Sequence, residues 1–146
     1  MPITKEFTVV MEDRPDMLGK LCRALGDHEV NILALQSFPN RGKFVIRLIL
    51  DNPGKAKTIL DTQHLTYAET QIIQIKIQHR PGEIARLASR LGKANININY
   101  AYCGLETGTN APLVFFSVAD IGKAASILEQ FEAAAGSRCV TELSIL

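Results

Sequence analysis

No apolar run in this 146-residue sequence approaches the roughly 20 residues that span a bilayer. Neither sign of charge is in excess. The formal net charge is +1 with 21% charged residues, which argues against a broad electrostatic footprint for nucleic acid or an anionic membrane. Cysteines are few: Cys22, Cys103 and Cys139 are an odd count at wide spacing with no C-x-x-C pair. That pattern speaks against a zinc knuckle and against a disulfide framework. The opening residues MPITKEFTVV lack the basic start, apolar core and cleavage site of a secretion signal. These absences lead us to expect a soluble, cytoplasmic chain. No G-x-x-x-x-G-K-[ST] phosphate loop occurs, so Lys55 and Lys123, each just after a glycine, read as solvated. His28, His64 and His79 are scattered with no carboxylate or cysteine at ligand spacing, so neither a metal nor another cofactor is expected.

What is present is one unit used twice. DRPDMLGKLCRALGDHEVNI (13–32) and HRPGEIARLASRLGKANINI (79–98) align at an offset of 66. Arg14/Arg80, Pro15/Pro81, Leu21/Leu87, Leu25/Leu91, Gly26/Gly92, Asn31/Asn97 and Ile32/Ile98 are identical, seven in twenty where chance gives roughly one. A repeat of that length implies two similar structural units.

Periodicity assigns the elements. Phe7, Val9 and Met11 alternate before the first Arg-Pro, as do Ile73, Ile75 and Ile77 before the second, which is the pattern of a strand with one buried face. After Arg-Pro the spacing changes: Leu18, Leu21, Cys22, Leu25 and Ile84, Leu87, Ala88, Leu91 mark one face of a helix in each copy. Pro15 and Pro81 suit the first helical turn, and Gly26 and Gly92 suit the end, where a left-handed residue stops a helix. Cys22 falls on the apolar stripe as a small core residue. Two further strands follow in each copy, joined at PNRG in the first and by the longer GLETGTNAP in the second. PGKAKTILDTQ and IGKAASILEQFEAAAG then read as helices, the latter through Ala124, Ile127, Leu128 and Phe131. Short strands near LTYAET and RCVTELSIL close the halves.

Each half is therefore β-α-β-β-α-β, with domains at 1–70 and 71–146. The expected fold class is α+β: two ferredoxin-like units, each a four-stranded antiparallel sheet with its helices on one face. Strand order 4-1-3-2 places the second strand of a unit at an edge, which invites pairing. Units this small bury a limited core, so a homodimer through sheet edges or helices is expected. Asn95, Asn97 and Asn99 share one strand face by period two, either as a solvated edge or as a polar contact across an interface. Tyr100 and Tyr102 read as core or interface residues.

The pattern D/H-R-P-x-x-L/I-x-x-L-x-x-x-L-G after a strand, followed by N-I, resembles the ACT domain, a small regulatory module. DNPGKA (51–56) opening the second helix also resembles that family. Two copies in a chain of this length resemble the stand-alone tandem ACT proteins, and the resemblance covers essentially the whole chain. It implies a non-catalytic regulatory protein that binds an amino acid or similar small ligand where ACT modules meet, and acts through a partner enzyme or as a small oligomer. Residue by residue, it places ligand contacts at His79, Arg80, Pro81, Gly82 and Asn97. In the first copy the corresponding residues are Asp13, Arg14, Asp16 and Asn31.

Physical chemistry ranks the two loops. The first turn of a helix presents unpaired N–H groups and the positive end of the macrodipole, where a ligand carboxylate can dock. Gly82 lets a ligand approach the backbone and tolerates unusual dihedral angles. Asn97 offers both a carbonyl and an amide, and His79 a donor or acceptor for the ligand side chain. Asp16 replaces the glycine in the first copy, adding bulk and a charge that repels a carboxylate. The second loop is thus expected to be the better site. The plainer readings are Pro15 and Pro81 as helix starters, Arg14 and Arg80 solvated or paired with nearby carboxylates, and the Asn and Gly residues as turn chemistry.

Two other functions are weighed. Acylphosphatases share the βαββαβ order and use an anion-binding loop after the first strand, but here Arg is followed at once by Pro and no nucleophile–base pair is evident. RNA binding on the sheet needs exposed aromatics and basic surroundings, whereas the outward residues here are Gln74, Lys76 and Gln78. A ligand-free interaction scaffold is the remaining alternative.

Overall fold

The computed structural model describes residues 2–130. Its elements run β1 (Ile3–Glu12), α1 (Met17–Asp27), β2 (Ile32–Asn40), β3 (Lys43–Leu50), α2 (Pro53–Thr62), β4 (Thr66–Lys76), α3 (Glu83–Lys93), β5 (Ile98–Leu105) and β6 (Pro112–Val118). A further helix, α4, covers residues 121–130. The protein is α+β with antiparallel strand pairing. Phe131, Cys139 and the strand expected near RCVTELSIL lie outside the described residues.

By compactness the chain divides into two units. The first holds Lys5–Gln71 and Gly104–Asn110; the second holds 2–4, 72–103 and 111–130 of the described residues. The strand expected to close the first half and the one expected to open the second are a single strand, β4. TYAETQIIQIK contains no Gly, Pro, Asn or Asp, so nothing in it turns the chain.

In the first unit, Phe7, Val9 and Met11 of β1 meet Ile46, Leu48 and Leu50 of β3. Leu21 and Leu25 of α1 and Ala56, Ile59 and Leu60 of α2 cover that face. Fully burying the Val, Leu, Ile, Phe and Met side chains among these stabilises by about 1.5–3 kcal/mol each. Cys22 lies half-buried on the α1 stripe, and burial pushes its thiol pKa up. The β2–β3 turn is tighter than PNRG: Pro39 and Asn40 still pair with Phe44 and Lys43, leaving Arg41 (φ 53°) and Gly42 (φ 80°) as a two-residue turn. Glu6, on the opposite face of β1 from Phe7, is fully buried, with the Thr70 hydroxyl at 3.4 Å and the Arg47 guanidinium at 3.9 Å.

The second unit repeats the scheme with Ile73 and Ile75 of β4, Leu87 and Leu91 of α3, Val114 and Phe116 of β6, and Ala124, Ala125 and Leu128 of α4. Ile84 departs from the expected stripe and is 43% exposed. The buried face of α3 runs Glu83, Leu87, Leu91, so Glu83 takes the inward place.

Both helices after Arg-Pro end in the same way. Glu29 N–H donates to the Gly26 carbonyl and Val30 N–H to Leu25; Asn95 and Ile96 do the same to Gly92 and Leu91. These are Schellman closures, whose first and last residues join the same core: Leu25 and Val30 the first, Leu91 and Ile96 the second. Gly26 and Gly92 remain helical, and the left-handed stop falls on Glu29 and Asn95, each at φ 59°. This corrects the reading of three asparagines on one strand face: Asn95 stops a helix, Asn97 precedes β5, and only Asn99 is in the strand. The edge expectation for β5 is also corrected. β6 flanks it, and its end at Gly104 pairs with Ala34 of β2.

Candidate functional site

The two Arg-Pro loops share a backbone. Arg14 N–H donates to the Glu12 carbonyl at 3.0 Å and Arg80 N–H to the Gln78 carbonyl at 2.9 Å. The prolines do not enter the first helical turn. A left-handed residue stands between each proline and its helix: Asp16 (φ 68°) caps α1, and Gly82 (φ 87°) caps α3. The helices therefore begin at Met17 and Glu83, and their first internal bonds run from Lys20 N–H to Asp16 and from Arg86 N–H to Gly82.

The helix start of the second copy is open. His79, Arg80, Pro81 and Gly82 are exposed, as are Ile84 and Ala85. A Cβ built on Gly82 would meet nothing within 4 Å, so open space lies over the cap. Arg80 is engaged from within: its Nε donates to Glu83 Oε1 at 2.8 Å, and Arg86 Nη1 donates to the same oxygen at 3.3 Å. The Arg80 hydrogen bond holds the Glu83 carboxyl below its ordinary pKa, against burial, which acts the other way. Sequence reasoning missed Glu83. The signal was the R-x-x-E-x-x-R spacing, which puts both arginines one turn from the carboxylate.

The first copy fills the same space. Asp16 makes no cap hydrogen bond with its side chain; its Oδ1 lies 2.7 Å from where a Cβ on Gly19 would stand. The residue matching Gly19 in the second copy is Ala85. Asp16 with Gly19 and Gly82 with Ala85 are therefore two packings of one helix start. Arg14 pairs with Glu12 at 2.8 Å, and Asp13 is exposed. A cavity of about 480 Å³ opens beside this loop, lined in part by Met11, Arg14, Met17, Lys43, His64 and Leu65.

The asparagines differ more than the loops. Asn31 is engaged three times: its N–H donates to Asp51 Oδ1 at 2.9 Å, its carbonyl accepts from Asp51 N–H at 3.1 Å, and its Nδ2 donates to the Thr107 hydroxyl at 3.2 Å. Asn97 keeps only the middle bond, its carbonyl accepting from Ala119 N–H at 3.2 Å. Among the described residues, neither the Asn97 N–H nor its side-chain amide has a partner.

Loop and asparagine do not converge within a unit. The 11 residues of α3 separate Gly82 from Asn97, a run of roughly 16 Å at 1.5 Å per residue. One α-amino acid cannot touch both in the same copy. The same holds for Asp16 and Asn31 across α1, also 11 residues long. Among the described residues, no three His, Cys, Asp or Glu side chains are grouped to hold a metal ion, and no helix is long and apolar enough to cross a membrane.

Among the described residues, the order β-α-β-β-α-β is complete from β1 to β4. Residues 6–64 match the family model of the ACT domain. Among solved structures, the chain is similar to protein BT0572 from Bacteroides thetaiotaomicron, with a TM-score of 0.78 and 21% identity over 90% of each chain. It is also similar to the ligand-free regulatory subunit of aspartate kinase from Thermus thermophilus, with a TM-score of 0.58 and 12% identity over 89% of this chain and 96% of that one. The same subunit from Thermus flavus gives 0.52 and 13% over 90% and 98%. At such identities the likeness is one of fold. No curated protein matches the chain in sequence.

Proposed function

We propose that this chain is a tandem pair of ACT modules, a non-catalytic regulatory protein that binds an amino acid and acts as a homodimer or on a partner enzyme. The observation that carries the reading is the unfilled hydrogen-bonding capacity of the second copy: an exposed helix start capped by Gly82, and an Asn97 whose N–H and amide have no partner among the described residues. The ACT match over residues 6–64 supports it, as does the likeness to subunits whose role is the regulation of aspartate kinase.

Because α3 keeps Gly82 and Asn97 apart, the ligand lies between two copies of the chain. His79, Pro81 and Gly82 come from one, and Asn97 from the other. The first-turn N–H groups take one carboxylate oxygen, and Asn97 takes the second and receives the ammonium on its Oδ1. Arg80 shapes the loop through Glu83. Asp13, Arg14, Asp16 and Asn31 form the weaker counterpart, and the cavity beside Lys43 gives that loop some room.

A thermal-shift screen of the twenty amino acids tests this. A ligand at ~100 times its dissociation constant stabilises the folded state by about 2.7 kcal/mol. Gly82→Asp and Asn97→Ala should each abolish the shift, while Lys43→Ala leaves it. Sedimentation should report a dimer in the liganded protein. A screen in which no amino acid shifts the transition sinks the reading in favour of a scaffold. A shift lost only in Lys43→Ala moves the site to the first loop.

A further inference from the structure

We infer that Asp51 is a built-in occupant of the first copy: its carboxylate sits on the Asn31 N–H where, in the second copy, the carboxylate of a free ligand sits on the Asn97 N–H. This rests on the amino-acid reading of the second copy and adds to it a reason why one copy binds and the other does not.

The two copies are in register at this point. Asp51 N–H donates to the Asn31 carbonyl, and Ala119 N–H donates to the Asn97 carbonyl. One residue on, Asn52 Oδ1 accepts from Lys55 N–H and Asp120 Oδ1 accepts from Lys123 N–H, each at 3.1 Å, so both helices are capped in the same way. Residues 51 and 119 thus occupy equivalent places, one with a carboxylate and one with a methyl group. The carboxylate reaches back 2.9 Å to the Asn31 N–H. The methyl group of Ala119 offers no acceptor, and the Asn97 N–H has no partner among the described residues.

Thr107 completes the closure. It belongs by compactness to the first unit and accepts from Asn31 Nδ2. The first copy has only the two-residue turn at Arg41–Gly42 in place of that loop, so it has no counterpart of Thr107 to offer. An N–H bonded to an ionised carboxylate is among the stronger hydrogen bonds in a protein. A tethered carboxylate also acts at an effective concentration on the order of millimolar. A free amino acid must displace it before it can use Asn31, and at ordinary concentrations the first copy stays closed.

The test uses the full-length protein labelled with ¹⁵N and acetate as the carboxylate probe. In the wild type the Asn97 amide proton should move downfield on titration while that of Asn31 stays still. In Asp51→Ala both should move, and in Ala119→Asp neither. An Asn31 amide that stays still in Asp51→Ala, while Asn97 in the same variant responds, overturns the built-in occupant. An Asn97 amide silent in the wild type overturns the carboxylate reading of the second copy instead, and Asn31 in Asp51→Ala then decides the role of Asp51 alone. Should Asp51→Ala fail to fold, Ala119→Asp decides: continued response of Asn97 to acetate in that variant overturns the inference.

Discussion

Glu83 is a carboxylate only 6% exposed, and it remains charged because two arginines one turn away donate to the same oxygen. Its folded pKa lies below the ordinary value near 4.3 for an unfolded glutamate. The stabilisation it contributes is therefore fully present above that ordinary value and is lost as pH falls through the lower folded one. Glu83→Gln should lose about 1.5–3 kcal/mol at neutral pH, the usual range for a hydrogen bond to a charged group. Urea unfolding at pH 7 and again at pH 3 checks this: the gap between variant and wild type should narrow in acid. An equal gap at both values would mean that packing, not charge, is what Gln disturbs. The repeat alignment could not reveal this residue, because its counterpart is Met17, which packs partly buried against the first core. One copy fills the spot with an apolar side chain and the other with an ion cluster.

At the scale of elements, the helices were readable from spacing and their starts were not. Leu21, Leu25, Leu87 and Leu91 are buried as their period demands. The proline rule put Pro15 and Pro81 inside the first turn, but a left-handed residue intervenes, and single residues at φ > 0 leave no periodic trace in a sequence. The glycine rule erred in the opposite sense: Gly26 and Gly92 stay helical while Glu29 and Asn95 turn left. Helix start and first turn are coupled through residues 16 and 19. Gly19→Ala alone should displace the Asp16 carboxylate, which now stands 2.7 Å from the new Cβ. In an Asp16→Gly background the same change recreates the second copy and should stabilise by about 1 kcal/mol through helix propensity. A double-mutant cycle by thermal unfolding should give a coupling of about 0.5–1 kcal/mol; additive effects would show that Asp16 does not occupy that space.

For the whole chain, the internal repeat implies two similar cores, and the clusters around Leu25 and Leu91 are such a pair. The exchange of segments was not legible. Gly104–Asn110 belongs to the unit built from Lys5–Gln71, because the end of β5 approaches β2 more closely than any side chain would permit. A Cβ on Gly104 would overlap the Leu33 carbonyl oxygen and stand 2.6 Å from the Ala34 Cβ. Both obstacles are on or next to the backbone, so neither can swing aside. Gly104→Ala should therefore cost at least the 1–3 kcal/mol typical of overpacking, read as a drop in urea midpoint. An unchanged midpoint would mean that β5 stands farther from β2. A glycine in a strand signals such an approach only generically; its partner, 70 residues earlier in the chain, comes from the register alone.

That separation has a counterpart in time. The β2–β3 hairpin closes over two residues, Arg41 and Gly42, and hairpins of this kind form in roughly 1–10 μs. The meeting of Ala34 with Gly104 must instead wait for a long loop to close, after the local pieces exist. Interactions made late in folding act on the rate of unfolding more than on the rate of folding. The close contact at Gly104 thus bears on how long the folded chain persists, and the hairpin on how soon it forms.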